Sequence, residues 1–200
     1  MKQLVIALLM MLPMAATAQN NAWEKTATET AANNQKYLAG AVPEVDGHVV
    51  FETTLKAPGM TAAQIYDRLL DLMTQLTKTS NQFEQSHVSV ANKEKGQIIA
   101  NYQEWLVFKS SALVLDRTRL MYHLVADCRD GEATLRMMRI YFYYDEERNP
   151  TTYKAEEWIN DKYGLNKKQT KLARVSGKFR RKTIDRKDYL FEKFQEFLNN

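Results

Sequence analysis

Few side chains in this 200-residue sequence have the types and spacing that catalysis requires. The acidic run Asp145-Glu146-Glu147 could bind calcium or act as a general acid and base. It follows a predicted strand and precedes Pro150, which is more typical of a solvated turn. Ser110-Ser111 has neither a glycine elbow nor a base nearby, so a serine nucleophile would not be activated. The sequence therefore predicts no catalytic residue.

The three histidines are the natural candidates for metal ligands. His48, His87 and His123 lie far apart on separate predicted strands, and none has a second ligand at metal-binding spacing. We therefore predict no metal site and no cofactor. His123 has the opposite parity to Tyr122 on its strand, so its side chain is expected to face solvent or a helix.

The single cysteine, Cys128, cannot form a disulfide within the chain. It could be a reactive nucleophile or an intermolecular bridge, or it could be a small buried apolar residue. Residues 120, 122, 124, 126 and 128 share one parity and are mostly apolar, which places them on one strand face. We predict that Cys128 is buried and inert.

One predicted strand, residues 135–144, is apolar on both faces. Its even positions are Met138, Ile140, Phe142 and Tyr144, and its odd positions include Leu135, Met137, Tyr141 and Tyr143. A sheet covered on one side should be apolar on one face only. Either a second layer or a partner covers the far face, or Tyr141 and Tyr143 with Arg139 line a recognition surface.

Positive charge is concentrated in the last fifth of the chain. Residues 162–200 contain twelve Lys and Arg against four Asp and Glu, whereas residues 19–161 have a balance of −5. The basic segment comprises Lys167, Lys168, Lys171, Arg174, Lys178, Arg180, Arg181 and Lys182. It could make a weak contact with anionic lipid or polysaccharide, or it could be a solvated helix or loop.

The first eighteen residues have the layout of a cleaved signal peptide. Lys2 precedes an apolar run from Leu4 to Leu12, and small residues lead to Ala18 and the polar Gln19. We expect cleavage near Ala18/Gln19, a periplasmic or secreted protein, and no lipoprotein anchor, because Gln19 stands where a lipidated cysteine would be. The apolar run is too short to span a membrane. An exported protein also has no access to chromosomal nucleic acid.

The remaining patterns predict strands and helices that would position these residues. Alternation predicts strands at 48–56, 88–90, 98–102, 119–127 and 134–144, and a further strand at 104–109 whose register is open. A capping box at Thr61 and Gln64 begins a helix over 61–77. A helix carrying Ala155, Ile159 and Tyr163 ends at Gly164, and a final helix covers 183–198.

We therefore expect a signal peptide at 1–18, a flexible leader at 19–43, and a single α+β domain at 44–200. The leader is rich in Asn, Gln, Thr and Ala and has few large apolar residues. The element order is strand, helix, antiparallel strands, helix, which favours a sheet with helices on one face. The basic C-terminal part, 150–200, is predicted to be helical.

Several segments carry a family resemblance. Val45-Asp46-Gly47-His48 through Leu55, then Ala57-Pro58-Gly59 and Ile65-Tyr66-Asp67-Arg68, resemble the opening of an exported bacterial family, domain of unknown function 4468. Cys128-Arg129-Asp130-Gly131 is similar to its later hairpin, and the segment from Gly177 to Asp185 is similar to a downstream part. The resemblance covers about 42–144. It implies a fold like that of the TATA-box-binding protein, a curved antiparallel sheet with helices on one side, and no established activity.

These observations favour an exported, non-enzymatic binding or interaction module of the cell envelope. It would use its sheet face, through Arg139, Tyr141 and Tyr143, or its basic region, through Lys178, Arg180, Arg181 and Lys182. One alternative is an enzyme whose active site assembles only in three dimensions. Another is an accessory subunit of an envelope complex. The fold name does not imply DNA binding.

Overall fold

A single antiparallel sheet of seven strands forms the framework of the protein. The computed structural model describes residues 35–111 and 113–200. The strands are β1 (Glu44–Val45), β2 (His48–Lys56), β3 (His87–Asn92), β4 (Gln97–Ser111), β5 (Val114–Arg129), β6 (Glu132–Tyr144) and β7 (Thr151–Lys154). Their order is β1-β2-β6-β5-β4-β3, and β7 pairs with the end of β6 that β2 leaves open. This confirms the predicted α+β class.

Two long helices pack on one face of this sheet. α1 (Ala62–Leu76) begins at Thr61, where the predicted capping box with Gln64 is present. α4 (Gly177–Asn199) is the C-terminal helix, and α2 (Ala155–Trp158) and α3 (Asp161–Gly164) are single turns. Apolar residues of both long helices and of alternate strand positions form one core. No helix in the described part of the chain has the length and hydropathy needed to cross a membrane.

Three predicted elements differ from the structure. The predicted strand at 104–109 is the second half of β4, which continues without a break. The predicted helix ending at Gly164 is two short helices, because the Asn160 side chain accepts a hydrogen bond from the Tyr163 N–H and starts a new turn. Tyr163 is consequently 44% exposed and does not share the buried face with Ala155 and Ile159.

The last helix begins at Gly177, six residues before the predicted start. Phe179 and Arg180 are both fully buried in this added part. The sequence did not predict this earlier start, because arginine is usually exposed and the basic composition gives no sign that Arg180 is buried.

The chain also joins the core earlier than the predicted leader boundary at residue 43. Tyr37 is 1% exposed, Val42 is 4% exposed, and the Tyr37 hydroxyl donates to Asp185 on α4. Residues 35–43 are therefore structured. The sequence did not predict this, because the partners of these residues lie more than a hundred residues away and local composition does not reveal them. The rest of the predicted leader, and the predicted signal peptide, lie outside the described residues.

Candidate functional site: the open face of the sheet

A β-bulge in β6 explains why this strand is apolar at both parities. Met138 is paired with His123 and Tyr141 with Met121, so β6 has one extra residue between these pairs. Arg139 takes the left-handed backbone conformation there, with φ of 52°. The bulge shifts the alternation by one residue. Leu135 and Met137 before it therefore share the helix-covered face with Ile140 and Phe142 after it, and all four are fully buried.

The other face of the sheet, here called the open face, carries the remaining side chains of the central strands. Both long helices of the described chain contact the opposite face: the Tyr102 hydroxyl donates to the Met73 carbonyl of α1, and Arg186 of α4 pairs with Glu104. The register places the following residues on the open face: Ile99, Asn101, Gln103, Trp105, Arg119, Met121, His123, Val125, Met138, Tyr141 and Tyr143. Tyr141 is 36% exposed. The open face is therefore a mixed aromatic, methionine and polar surface.

Arginines and aromatic rings form a cluster at one end of the open face. The Arg119 guanidinium makes two hydrogen bonds to Glu146, of 3.0 and 2.8 Å, and lies 4.1 Å from the ring centroid of Phe83 and 5.8 Å from that of Tyr143. Arg117 lies 3.7 Å from the Trp105 centroid. Cation–π contacts of this kind hold the rings and the guanidinium groups in place. At this end of the face, Glu146 balances the charge of Arg119, and Arg117 is packed against Trp105.

The centre of the open face is positively charged. Arg139 is exposed and has no ion pair or hydrogen bond through its side chain among the described residues. Partial burial lowers the pKa of His123, and the nearby Arg139 cation lowers it further. Lys154 is paired in register with Tyr141, and its charge is partly balanced by Glu157 at 3.7 Å. An incoming anionic group would therefore find a cation here whose charge is not neutralised by the protein.

Beneath the opposite face lies a buried ion pair that the sequence did not reveal. Arg186 donates to the two carboxylate oxygens of Glu104, with both distances 2.7 Å, and the side chains are 5% and 1% exposed. Glu104 also accepts from the Tyr122 hydroxyl and from the Gln82 amide, each at 2.8 Å. Burial lowers the pKa of Arg186, but the adjacent carboxylate outweighs it and the pKa is raised. The pair anchors α4 to the sheet.

The predicted basic site does not form a single surface. Arg180 is fully buried, and its guanidinium donates to the carbonyls of Tyr37, Leu38 and Ile159 and to the Asp161 carboxylate. Its prediction as a ligand-binding residue is therefore wrong, because the side chain is fully buried and makes four hydrogen bonds inside the fold.

The other three residues of that predicted site reach the surface. Lys178 is paired with Asp116 at 2.6 Å and donates to the Tyr144 hydroxyl at 3.0 Å. Arg181 is exposed and Lys182 is half-buried. Both line a groove with Phe108 at the start of α4.

The acidic turn after β6 lines an open cleft of about 350 Å³ with Trp105, Asp116 and Arg117. Glu146 is held by Arg119 and Asp116 by Lys178, so two of the carboxylates lining the cleft already have cationic partners. Among the described residues, no three His, Cys, Asp or Glu side chains are grouped so that they could hold a metal ion. Glu146 is thus the residue of this turn that forms an ion pair with the fold.

Cys128 is expected to react very slowly with thiol reagents in the native protein. It is 7% exposed, and burial, with a smaller contribution from Asp127, raises the pKa of its thiol to about 12. The thiolate, which is the reactive form, is therefore scarce at neutral pH. Labelling with a chromogenic disulfide at pH 7.5 should be slow without denaturant and complete in denaturant. Rapid stoichiometric labelling of the folded chain would contradict this expectation.

Similarity to known proteins agrees with the fold. Residues 51–143 match the family model described as "domain of unknown function (DUF4468) with TBP-like fold", where TBP is the TATA-box-binding protein. The crystal structure of a DUF4468 family protein from Bacteroides ovatus ATCC 8483 is 43% identical, with a TM-score of 0.78, and the match covers 84% of this chain and 96% of that one.

A second solved structure, a TBP-like protein from Parabacteroides distasonis ATCC 8503, is 21% identical with a TM-score of 0.65. That match covers 80% of this chain and 97% of the other, and it shows the fold alone. No curated protein is significantly similar to the chain. The extent of the 43% identical match, together with the family model, shows that this chain belongs to the DUF4468 family, whose fold is TBP-like.

Proposed function

We propose that this chain is an exported binding module that contacts a partner protein through the open face of its sheet. The partner surface would present an acidic side chain surrounded by apolar ones. The acidic group would meet Arg139, and the apolar groups would pack on Met121, Met138 and Tyr141. Tyrosine and methionine suit such contacts, because they combine a large apolar area with adaptable shape.

Arg139 is the observation that carries this proposal. An L-residue in the left-handed region costs about 1–2 kcal/mol, whereas glycine adopts the same φ freely. A glycine would form this bulge with less strain, so the arginine side chain has a role other than shaping the strand. It projects an exposed cation next to exposed Tyr141. Strained backbone of this kind is concentrated at binding and catalytic sites.

Export is supported by the sequence pattern of residues 1–19, and the periplasm or the exterior is the proposed location. The partner would then be another envelope or extracellular protein, which includes the case of an accessory subunit in an envelope complex. The alternative of an enzyme has less support, because two carboxylates of the cleft beside β6 are held in ion pairs with Arg119 and Lys178.

Replacing Arg139 with glycine separates binding from folding. We expect Arg139→Gly to raise the free energy of unfolding by up to about 1 kcal/mol, because the strain is relieved. The same change should weaken partner binding, because it removes the central cation. The measurements are urea unfolding and the yield of a photo-cross-link formed in cells from a benzoylphenylalanine placed at Met121, which pairs with Tyr141 on the open face.

Lys78→Gln is the matched control, since Lys78 is exposed after α1 and the change removes the same charge away from the open face. It should leave the cross-link yield unchanged. The double variant Tyr141→Ser and Tyr143→Ser should also reduce the yield while the chain stays folded. A large loss of stability with no change in association would refute the interface. A cross-link to a second copy of the chain, together with a dimer in sedimentation, would show that the open face binds another copy of this chain and not a different protein.

A further inference from the structure

The hairpin that joins β4 and β5 projects beyond the rest of the sheet. β6 ends where Tyr144 pairs with Thr118, whereas β4 and β5 remain paired out to Ser111 and Val114. Residues 113–117 therefore lie past the last pair with β6, and Val114 is about 13 Å beyond Thr118 along β5. In the described part of the chain, no strand pairs with this ribbon on either edge. A two-stranded ribbon of this kind has little stability of its own.

The tip of this hairpin is aliphatic and exposed. Leu113 is 95% exposed, Leu115 is 56% exposed and Val114 is 44% exposed. Few large apolar residues in the described part of the chain are exposed, and these three are consecutive in the sequence. A scattered exposed leucine is ordinary, but a contiguous aliphatic point at the end of a projecting ribbon indicates an interaction site.

Basic side chains stand on one flank of the same hairpin. Lys109 is exposed on β4 directly before the tip. A groove of about 270 Å³ at the base of the hairpin is lined by Phe108 together with Arg174, Lys178, Arg181 and Lys182 from the start of α4 and the loop before it. Lys178 is paired with Asp116 at the hairpin base, which fixes the helix start to the ribbon.

We propose that this hairpin docks the protein on an anionic phospholipid bilayer. The aliphatic tip enters the interface between head groups and acyl chains, and the basic flank contacts the lipid phosphates. A convex aliphatic point needs no complementary pocket when it enters a fluid apolar phase, whereas a protein partner would have to supply one. Apolar burial combined with cationic attraction is the usual basis of reversible membrane-surface binding.

The charges around the tip also define its orientation. On the other flank, the turn after β6 carries Asp145 and the exposed Glu147, but Arg148 of the same turn and Arg117 line the same cleft, so this flank has charges of both signs. The groove flank is lined by cations without carboxylates. The hairpin therefore tilts so that Arg174 and Arg181 approach the lipid. The tip adjoins the end of the open face at Trp105, but the two proposals use different residues and are tested independently.

An environment-sensitive fluorophore tests the insertion of the tip directly. It is attached at Leu113→Cys in a Cys128→Ala background, and a second sample carries it at Lys95→Cys, in the turn at the opposite end of β4. Both the full chain and the chain beginning at Gln19 are used, so that binding through the apolar run of residues 4–12 is distinguished. With phosphatidylglycerol-containing vesicles we expect a blue shift at 113 only, and no shift with phosphatidylcholine vesicles.

Two sets of variants measure the contributions of the tip and of the basic flank by vesicle sedimentation. Leu113→Ser with Leu115→Ser should weaken partitioning about tenfold or more. Arg174→Gln with Arg181→Gln should weaken it about thirtyfold, since each basic residue near an anionic surface contributes about 1 kcal/mol, which is about fivefold. Lys78→Gln with Lys95→Gln is the charge-matched control and should change it little.

The open-face variant Arg139→Gly should bind vesicles like the parent chain, which keeps this test separate from that of the partner protein. The docking proposal is overturned if the fluorophore at 113 shows no blue shift with anionic vesicles, or if zwitterionic vesicles give the same shift. A blue shift at 113 that depends on protein concentration and needs no lipid would also overturn it, because the tip would then be a contact between copies of the chain.

Discussion

Replacing Arg186 with alanine is expected to lower the free energy of unfolding by about 3–5 kcal/mol, because it leaves the Glu104 carboxylate buried without its cation. Glu104 is 1% exposed, so water cannot replace the missing partner without opening the core. A domain of this size is stable by about 5–15 kcal/mol, so the change removes a large share of its stability. Urea unfolding followed by circular dichroism measures it.

A double-mutant cycle distinguishes the ion pair from the packing of its side chains. Glu104→Leu alone should also be strongly destabilising, because it leaves the Arg186 cation buried without its carboxylate. The double variant Glu104→Leu with Arg186→Met should cost clearly less than the two single changes together. It should not recover fully, since the Tyr122 hydroxyl and the Gln82 amide lose their acceptor. Strict additivity of the single changes would show that the pair contributes no coupling.

Replacing Arg180 with methionine should cost about 3–5 kcal/mol, although the residue lies in a segment whose composition suggests a solvated surface. Its guanidinium donates to the carbonyls of Tyr37, Leu38 and Ile159 at 2.6–2.7 Å. The Leu38 carbonyl also accepts from the Ala41 N–H, so the substitution removes the donor of the Tyr37 and Ile159 carbonyls, and each loss costs about 1–3 kcal/mol. Loss of these contacts should also release residues 35–43 from α4, which limited proteolysis would detect.

Arg181→Met is the matched control, because it makes the same change at the next position, where the side chain is exposed. Its cost should stay below about 1 kcal/mol, which allows for a cation–π contact with Tyr37 whose centroid is 5.5 Å away. Equal effects of the two substitutions would contradict the structural role of Arg180. The site is also tightly packed: a Cβ on Gly164 would lie 2.9 Å from the Arg180 Cδ.

The buried positions of Arg180 and Arg186 reduce the number of cations that the C-terminal part of the chain presents to solvent. The sequence left open whether the basic segment makes a weak contact with an anionic partner or is a solvated helix or loop, yet Arg180 within it and Arg186 after it serve the fold. The residues that remain accessible, including Arg174 and Arg181, are those that flank the β4–β5 hairpin. Net charge alone therefore overstates the binding surface of this segment and says nothing about where it lies.

Local patterns along the chain determined the elements whose partners are near in sequence. The helix after Thr61, the hairpin around Gly131 and the alternation that buries Cys128 were all predicted, and each appears in the structure. Capping boxes, turn glycines and period-two alternation act within a few residues. The family motifs between Val45 and Gly131 combine these same short-range signals, which explains why they indicated the fold correctly.

Tertiary structure alone decided the features that depend on distant partners. The bulge at Arg139 is defined by pairing with β5, and it placed Leu135 and Ile140 on one face despite their opposite parity. The buried positions of Arg186 and Tyr37 depend on Glu104 and on Asp185, which lie far away in the sequence. The free energy of a buried charge or a bulged strand is set by groups that the fold brings together, and a one-dimensional pattern does not contain those contacts.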